Sequence, residues 1–198
     1  VIGLIIGLTY SMYSLFTAAG GLSTHFQLNV MKFEPWLLGV LGLISQPIVA
    51  AYRPIVGWVS DKIGRLKNLL LFTLIGFPAA LLGAYAPVII GVGMYWHVIA
   101  YSFILGQIAL LMSNGQEDTG KVVLSELVPT TARGTAQSFL EFLKGIIISS
   151  LTLAVATIYS INPMFGMAFP AIVGTVVGLS AVFAAIKLGY ETKGKELE

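Results

Sequence analysis

Six ionisable residues, Arg53, Glu117, Asp118, Lys121, Glu141 and Lys144, interrupt runs that are otherwise apolar. A charge at the centre of a membrane helix costs about 2.5–3.5 kcal/mol on insertion scales, so such residues face a bundle interior or a watery path, and they pair. Glu117 and Lys121 are four residues apart and share a helix face. Asp118 and Lys121, like Glu141 and Lys144, are three apart and can also meet. Three acids against three bases leave no net charge, which implies a compensated polar network across the second, fourth and fifth apolar runs. Two chemistries suit such a set. Glu117 or Asp118 can carry a proton that movement of Lys121 releases, or Lys121 and Arg53 can bind an anionic substrate such as a carboxylate. The plain alternative is a group of helix-end charges snorkelling to water, with Glu141 and Lys144 simply locking two helices together.

Uncharged polar residues mark a second trail. Tyr10, Ser11, Tyr13, Ser14, Gln46, Gln107, Asn114 and Gln116 also lie in apolar runs and are expected to line a central cavity. Their alternative use is hydrogen bonding between neighbouring helices. His25 and His97 fall near run ends and read as interfacial polar residues, and Trp36, Trp58 and Trp96 read as anchors at the membrane surface.

The elements that must position these groups follow from composition. The chain is 57% hydrophobic and 10% charged, with a mean hydropathy of +0.89. A soluble domain carries about 25% charged residues, so this chain cannot cover a globular surface with polar groups. A membrane-spanning helix needs roughly 20 mostly apolar residues, and six segments qualify: 1–26, 36–59, 67–86, 95–124, 134–158 and 166–188. The runs are too long for strands and do not alternate at period two. Prolines 47, 54, 78 and 170 lie inside spans and predict kinks. Gly3/Gly7 and Gly174/Gly178 have a spacing that favours close helix crossings. The expected fold is therefore all-α, a polytopic membrane protein forming one six-helix bundle over 1–198.

Lys and Arg counts set the orientation. One side holds Lys62, Arg65, Lys67, Arg133, Lys187, Lys193 and Lys195, and the other holds only Lys32. Seven against one places the loop around Asp61, the loop around Arg133 and the C-terminus in the cytoplasm. The absence of Cys excludes disulfides and Cys-ligated metals. Gly91-Val92-Gly93 is a turn without the Lys-Ser/Thr pair of a phosphate loop. No enzyme signature, catalytic residue, metal site, cofactor or nucleic-acid partner is expected. The start at Val1, inside an apolar run, reads as a truncation of a longer protein.

Three segments carry a family resemblance. Gly57-Trp58-Val59-Ser60-Asp61-Lys62-Ile63-Gly64-Arg65-Leu66-Lys67 reads as a short charged loop between the second and third spans. It resembles the loop between the second and third helices of each half of major facilitator superfamily transporters, matching at Gly57, Asp61, Lys62, Gly64 and Arg65. It departs at Leu66, where a basic residue is usual. Ser125-Glu126-Leu127-Val128-Pro129-Thr130-Thr131-Ala132-Arg133-Gly134 is similar to the sugar-porter segment after the fourth helix of a half. Tyr190-Glu191-Thr192-Lys193-Gly194-Lys195-Glu196 is similar to the segment that closes the second half, with Tyr190 where a Pro is usual.

The resemblance implies the C-terminal half of a twelve-helix major facilitator fold in a plasma membrane. It further implies that Asp61, Arg65, Glu126, Arg133 and Glu191 form a cytoplasmic latch that stabilises the outward-facing state. The expected function is secondary active transport of a small polar metabolite, a sugar first and an organic acid second, by alternating access. The expected drive is a proton gradient through Glu117 or Asp118, with uniport as the alternative. Expected partners are the substrate, the proton, the lipid bilayer and an N-terminal half of the same protein. Two rival readings are a non-transporting six-span scaffold subunit and a dimer of six-span chains.

Overall fold

In lipid, every backbone N–H and C=O must find a partner within its own segment, so long apolar runs become helices. The computed structural model describes residues 20–187. Among these every regular element is helical and none is a strand. The order is α1 (Gly20–Asn29), α2 (Pro35–Ile63), α3 (Arg65–Ala84), the short α4 (Ala86–Ile89), α5 (Trp96–Leu127), a 3-10 turn (Thr130–Ala132), α6 (Arg133–Ile161) and α7 (Pro163–Lys187). Five of these, α2, α3, α5, α6 with its preceding turn, and α7, are long and apolar enough to cross a membrane. That is the make-up of a multi-pass membrane protein. Most of the first expected span lies outside the described residues, as do Gly3, Gly7, Tyr10, Ser11, Tyr13, Ser14 and Glu191.

Local chemistry sets the helix ends. Pro35 opens α2, where its missing N–H costs nothing. The expected loop around Asp61 is corrected by the structure: Asp61 and Lys62 belong to α2, and the only break before α3 is Gly64. Gly64 sits at φ 101°, which a residue with a Cβ rarely adopts. Its N–H bonds the Ser60 carbonyl at 3.0 Å, and its own carbonyl accepts from Asn68 N–H at 3.1 Å. The chain thus reverses direction with its backbone groups occupied. A single residue, Asn162, separates α6 from α7. Its Oδ1 accepts from Phe165 N–H at 3.1 Å, and Pro163 follows as the first helical residue.

The helices pack unevenly. α3 and α5 cross closely where side chains are small: a Cβ on Gly76 would lie 2.9 Å from Met112 Cβ, and one on Gly115 would lie 2.7 Å from the Phe72 ring. Two buried hydrogen bonds run along this seam, Asn68 Nδ2 to Thr119 Oγ1 at 3.2 Å and Gln116 Nε2 to Thr73 Oγ1 at 3.1 Å. Between membrane helices such bonds are worth about 0.6–2 kcal/mol each. α7 packs beside them through Val182 and Ala185 against Leu66, Leu69 and Val123. α2 and α6 are the least buried of the five spans. At the opposite end, Phe26, Met31, Phe33, Leu37, Val98 and Tyr159 form a second apolar cluster.

Exposed aromatic residues frame the long axis. Trp36 and Trp58 lie on α2, 60% and 59% exposed. Their spacing is about 33 Å along a helix, close to the roughly 30 Å of a bilayer's hydrocarbon core. Lys62 Nζ caps the Trp58 ring 3.9 Å from its centroid, and Trp36 Nε1 donates to Glu34.

Candidate functional site: a neutral cavity and a charged end

Among the described residues α5 carries two polar systems, one in each half of its length. In the half nearer Trp96 a cavity of about 430 Å³ opens between α1, α2, α3, α5 and α7. That is within the usual range for small-molecule sites. Among the described residues its polar lining consists of Ser23, Thr24, Gln27, Ser45, Ser102, Gln107 and Ser113, and none of the described lining residues is charged. Gln107 Nε2 donates to Ser45 Oγ at 2.6 Å, tying α5 to α2. Gln107 Oε1 and Ser102 Oγ are buried and have no hydrogen-bond partner among the described residues. A buried acceptor left in that state costs about 1–3 kcal/mol, which a bound hydroxyl or water would remove.

The other half of α5 meets the charges. Glu117 Oε1 accepts from Lys121 Nζ at 2.8 Å and from Lys144 Nζ at 2.5 Å. Glu141 lies 3.4 Å from Lys121 and 3.5 Å from Lys144. Two acids and two bases therefore alternate around a square between α5 and α6. Arg53 of α2 pairs with Asp118 of α5 at 3.7 Å. The expected network of the second, fourth and fifth spans is present with one difference. Asp118 turns to Arg53 rather than to Lys121, because Lys121 is engaged on the α6 side of the helix. Arg53, Lys121 and Glu141 keep 60%, 41% and 47% of their side chains exposed. Exposed charge inside a span is tolerated only against water or another protein surface.

Closer to the helix ends, Arg65 bonds Asp61, Ser60 and Glu126 together, with Nη2 2.9 Å from Glu126 Oε1. Arg65 and Glu126 are only 15% and 14% exposed. This joins the ends of α2, α3 and α5. Of the other expected latch members, Arg133 Nε donates to the Val128 carbonyl at 3.2 Å, which caps the end of α5. Glu191 lies outside the described residues.

Several expected cavity residues are elsewhere. Asn114 Nδ2 bonds the Leu110 carbonyl of its own helix at 2.9 Å. Gln116 is fully buried against Thr73, and Gln46 faces outward on α2. Gln107 alone of the amides named from the sequence lines the cavity. Ser45, Ser102 and Ser113 were missed. Ser102 and Ser113 are eleven residues apart, close to three helical turns, a spacing that puts them on one face of α5 and was the available signal. His25 Nδ1 meets Tyr159 Oη at 3.1 Å, and His97 stacks on Tyr95 at the Trp96 end. Among the described residues no three His, Asp or Glu side chains gather to hold a metal.

Comparison with known proteins finds no family model, no curated protein and no solved structure that matches this chain.

Proposed function

We propose that this bundle is half of a secondary transporter of the major facilitator type that moves a small polar metabolite by alternating access. The observation that carries the reading is the separation along α5 of an uncharged polar cavity from a set of ion pairs that tie helix ends together. A solute site near mid-membrane, closed on one side by contacts that can break, is what alternating access needs. The excess of Lys and Arg makes the Asp61 end cytoplasmic, so the cavity belongs to the outward-facing half and the Arg65 cluster is the inner closure. The charged face of α2, α5 and α6 meets the other half of the transporter across a watery path.

Asp118 is the preferred proton carrier. Its one ion-pair partner among the described residues, Arg53, is 3.7 Å away, whereas Glu117 is held by two lysines that would both have to leave before it could accept a proton. An organic acid is the weaker substrate, because Arg53 and Lys121 are occupied by carboxylates and neither lines the cavity.

The test is uptake by the natural protein purified and reconstituted in liposomes, with and without an imposed pH gradient. Gradient-driven accumulation of a labelled neutral solute, lost in Asp118→Asn while exchange persists, is the expected result. Accumulation of carboxylates alone overturns the choice of substrate. Background uptake of every solute overturns transport and returns the scaffold reading.

A further inference from the structure

Gln107 and Ser45 make a contact whose geometry serves more than packing. The 2.6 Å bond from Gln107 Nε2 to Ser45 Oγ crosses from α5 to α2 at the cavity wall. While it holds, Gln107 Oε1 is shielded and has no donor among the described residues. An amide that swings off Ser45 brings both its atoms into the cavity, one donor and one acceptor, which is the pair that a hydroxyl group can satisfy at once. Ser102 Oγ, also without a partner among the described residues, stands on the same wall of α5. None of the described residues lining the space is charged, so a carboxylate entering it would lose its water without gaining a cation from them.

We infer that Gln107 is the residue that selects the cavity's occupant, exchanging its bond to Ser45 for one to an uncharged, hydroxyl-bearing solute. This inference rests on the proposed solute-binding role of the cavity. It also gives occupancy a mechanical consequence. α2 and α5 run in the same direction and are tied at the cavity by Gln107 and Ser45, and farther along by Arg53 and Asp118. Release of the first tie on binding leaves the helix pair joined by the Arg53–Asp118 pair and by the weak contact from Tyr52 Oη to Met112 Sδ at 4.0 Å.

The exchange predicts two substitutions of opposite sign. Ser45 competes with the solute for Gln107, so Ser45→Ala frees the amide and tightens binding severalfold. Gln107→Leu keeps the bulk, removes both amide atoms and weakens binding roughly 10-fold, the scale of one hydrogen bond lost in a buried site. Binding is measured by calorimetry on the purified protein, with glucose and myo-inositol as neutral probes and gluconate as the anionic one. Monodispersity on size exclusion and an intact thermal transition identify the variants that fold. Gln107→Asn serves as a milder second variant and is expected to weaken binding less than Gln107→Leu.

If both Ser45→Ala and Gln107→Leu weaken binding, or neither changes it, the exchange is overturned and the contact is structural. Equal or tighter binding of gluconate overturns the selection of neutral solutes. If no neutral probe binds while reconstituted protein still transports some other solute, this inference fails and the transporter reading stands. If neutral probes bind with the expected pattern while transport is absent, the reverse holds.

Discussion

The two halves of the bundle hold their outer helices in different ways. Around the cavity, contacts are made mainly by shape, with the Gln107–Ser45 hydrogen bond as the polar tie between α5 and α2. Phe26, Met31, Phe33 and Tyr159 cluster there, and a Cβ on Gly166 would lie 2.5 Å from the Tyr159 Cα. At the charged end, α6 is tied to α5 by Lys144 and Glu141, and α2 to its neighbours by Arg53, Asp61 and the Arg65 cluster. Close packing has few alternatives, since displaced atoms leave voids. The exposed pairs at the charged end, Arg53 with Asp118 and Lys121 with Glu141, can trade their partners for water at a cost of about 0–1 kcal/mol. The difference predicts where rearrangement costs least: at the exposed pairs of α2 and α6 at the charged end, beside a packed seam of α3, α5 and α7.

The contrast breaks most visibly at Gly166. Gly166→Ala forces the α6 and α7 backbones apart and is expected to cost at least about 3 kcal/mol, seen as a lowered thermal midpoint or loss of folded protein. Gly145→Ala, in α6 with nothing within 4 Å of the new Cβ, should be neutral or stabilising by up to about 1 kcal/mol. Equal effects at the two sites would mean that the cavity half is not held by shape.

Arg65→Met is expected next in size, at about 3 kcal/mol, because it leaves the poorly exposed Glu126 without the cation that meets it at 2.9 Å. Arg65→Lys keeps the charge but not the planar fork that reaches Ser60, Asp61 and Glu126 together, so it should recover only part of that loss. Denaturant titration in detergent separates the two variants. Full rescue by Lys would show that charge alone closes this end.

The square between α5 and α6 allows a sharper comparison. Lys144→Met leaves Glu117 and Glu141 facing Lys121 alone, an excess negative charge inside the span, and should cost about 2 kcal/mol. Adding Glu117→Gln restores neutrality and should recover at least half of the loss. The double-mutant cycle measures the coupling directly. Additive losses would mean that the square is four solvated charges and not a joint between helices.

Hydropathy made the helices legible, and charge spacing made most of the network legible. Glu117 with Lys121 and Glu141 with Lys144 are within-helix pairs, and the structure contains both. What the sequence could not supply was the partner of a residue with neighbours on two sides. Asp118 has Lys121 three residues on, yet it pairs with Arg53 of α2, because rotation of α5 in the bundle decides which flank each residue faces. Gln116 is polar, yet it is fully buried opposite Thr73, a position that only the crossing of α3 and α5 defines. The segment around Asp61 read as a loop because it is charged. Charge marks exposure rather than the end of a helix, and the backbone continues to Ile63 before Gly64 breaks it.

Asp61→Asn carries the smallest expected change in stability and the most information about function. Its side chain is 67% exposed, and Glu126 keeps hold of Arg65 when the Asp61 charge is gone. The loss of stability should therefore stay under about 1 kcal/mol. Alternating access depends on the balance between two states, and about 1 kcal/mol removed from only one of them changes their ratio roughly fivefold. Insertion and thermal midpoint should survive the substitution while the transport rate falls. The cavity should become accessible from the Asp61 end, as read by labelling of a cysteine placed at Ser113, since the chain has no Cys of its own. Loss of both folding and transport would make Asp61 a structural residue. Transport that survives unaltered would remove the latch, and with it the reason to treat the charged end as the moving one.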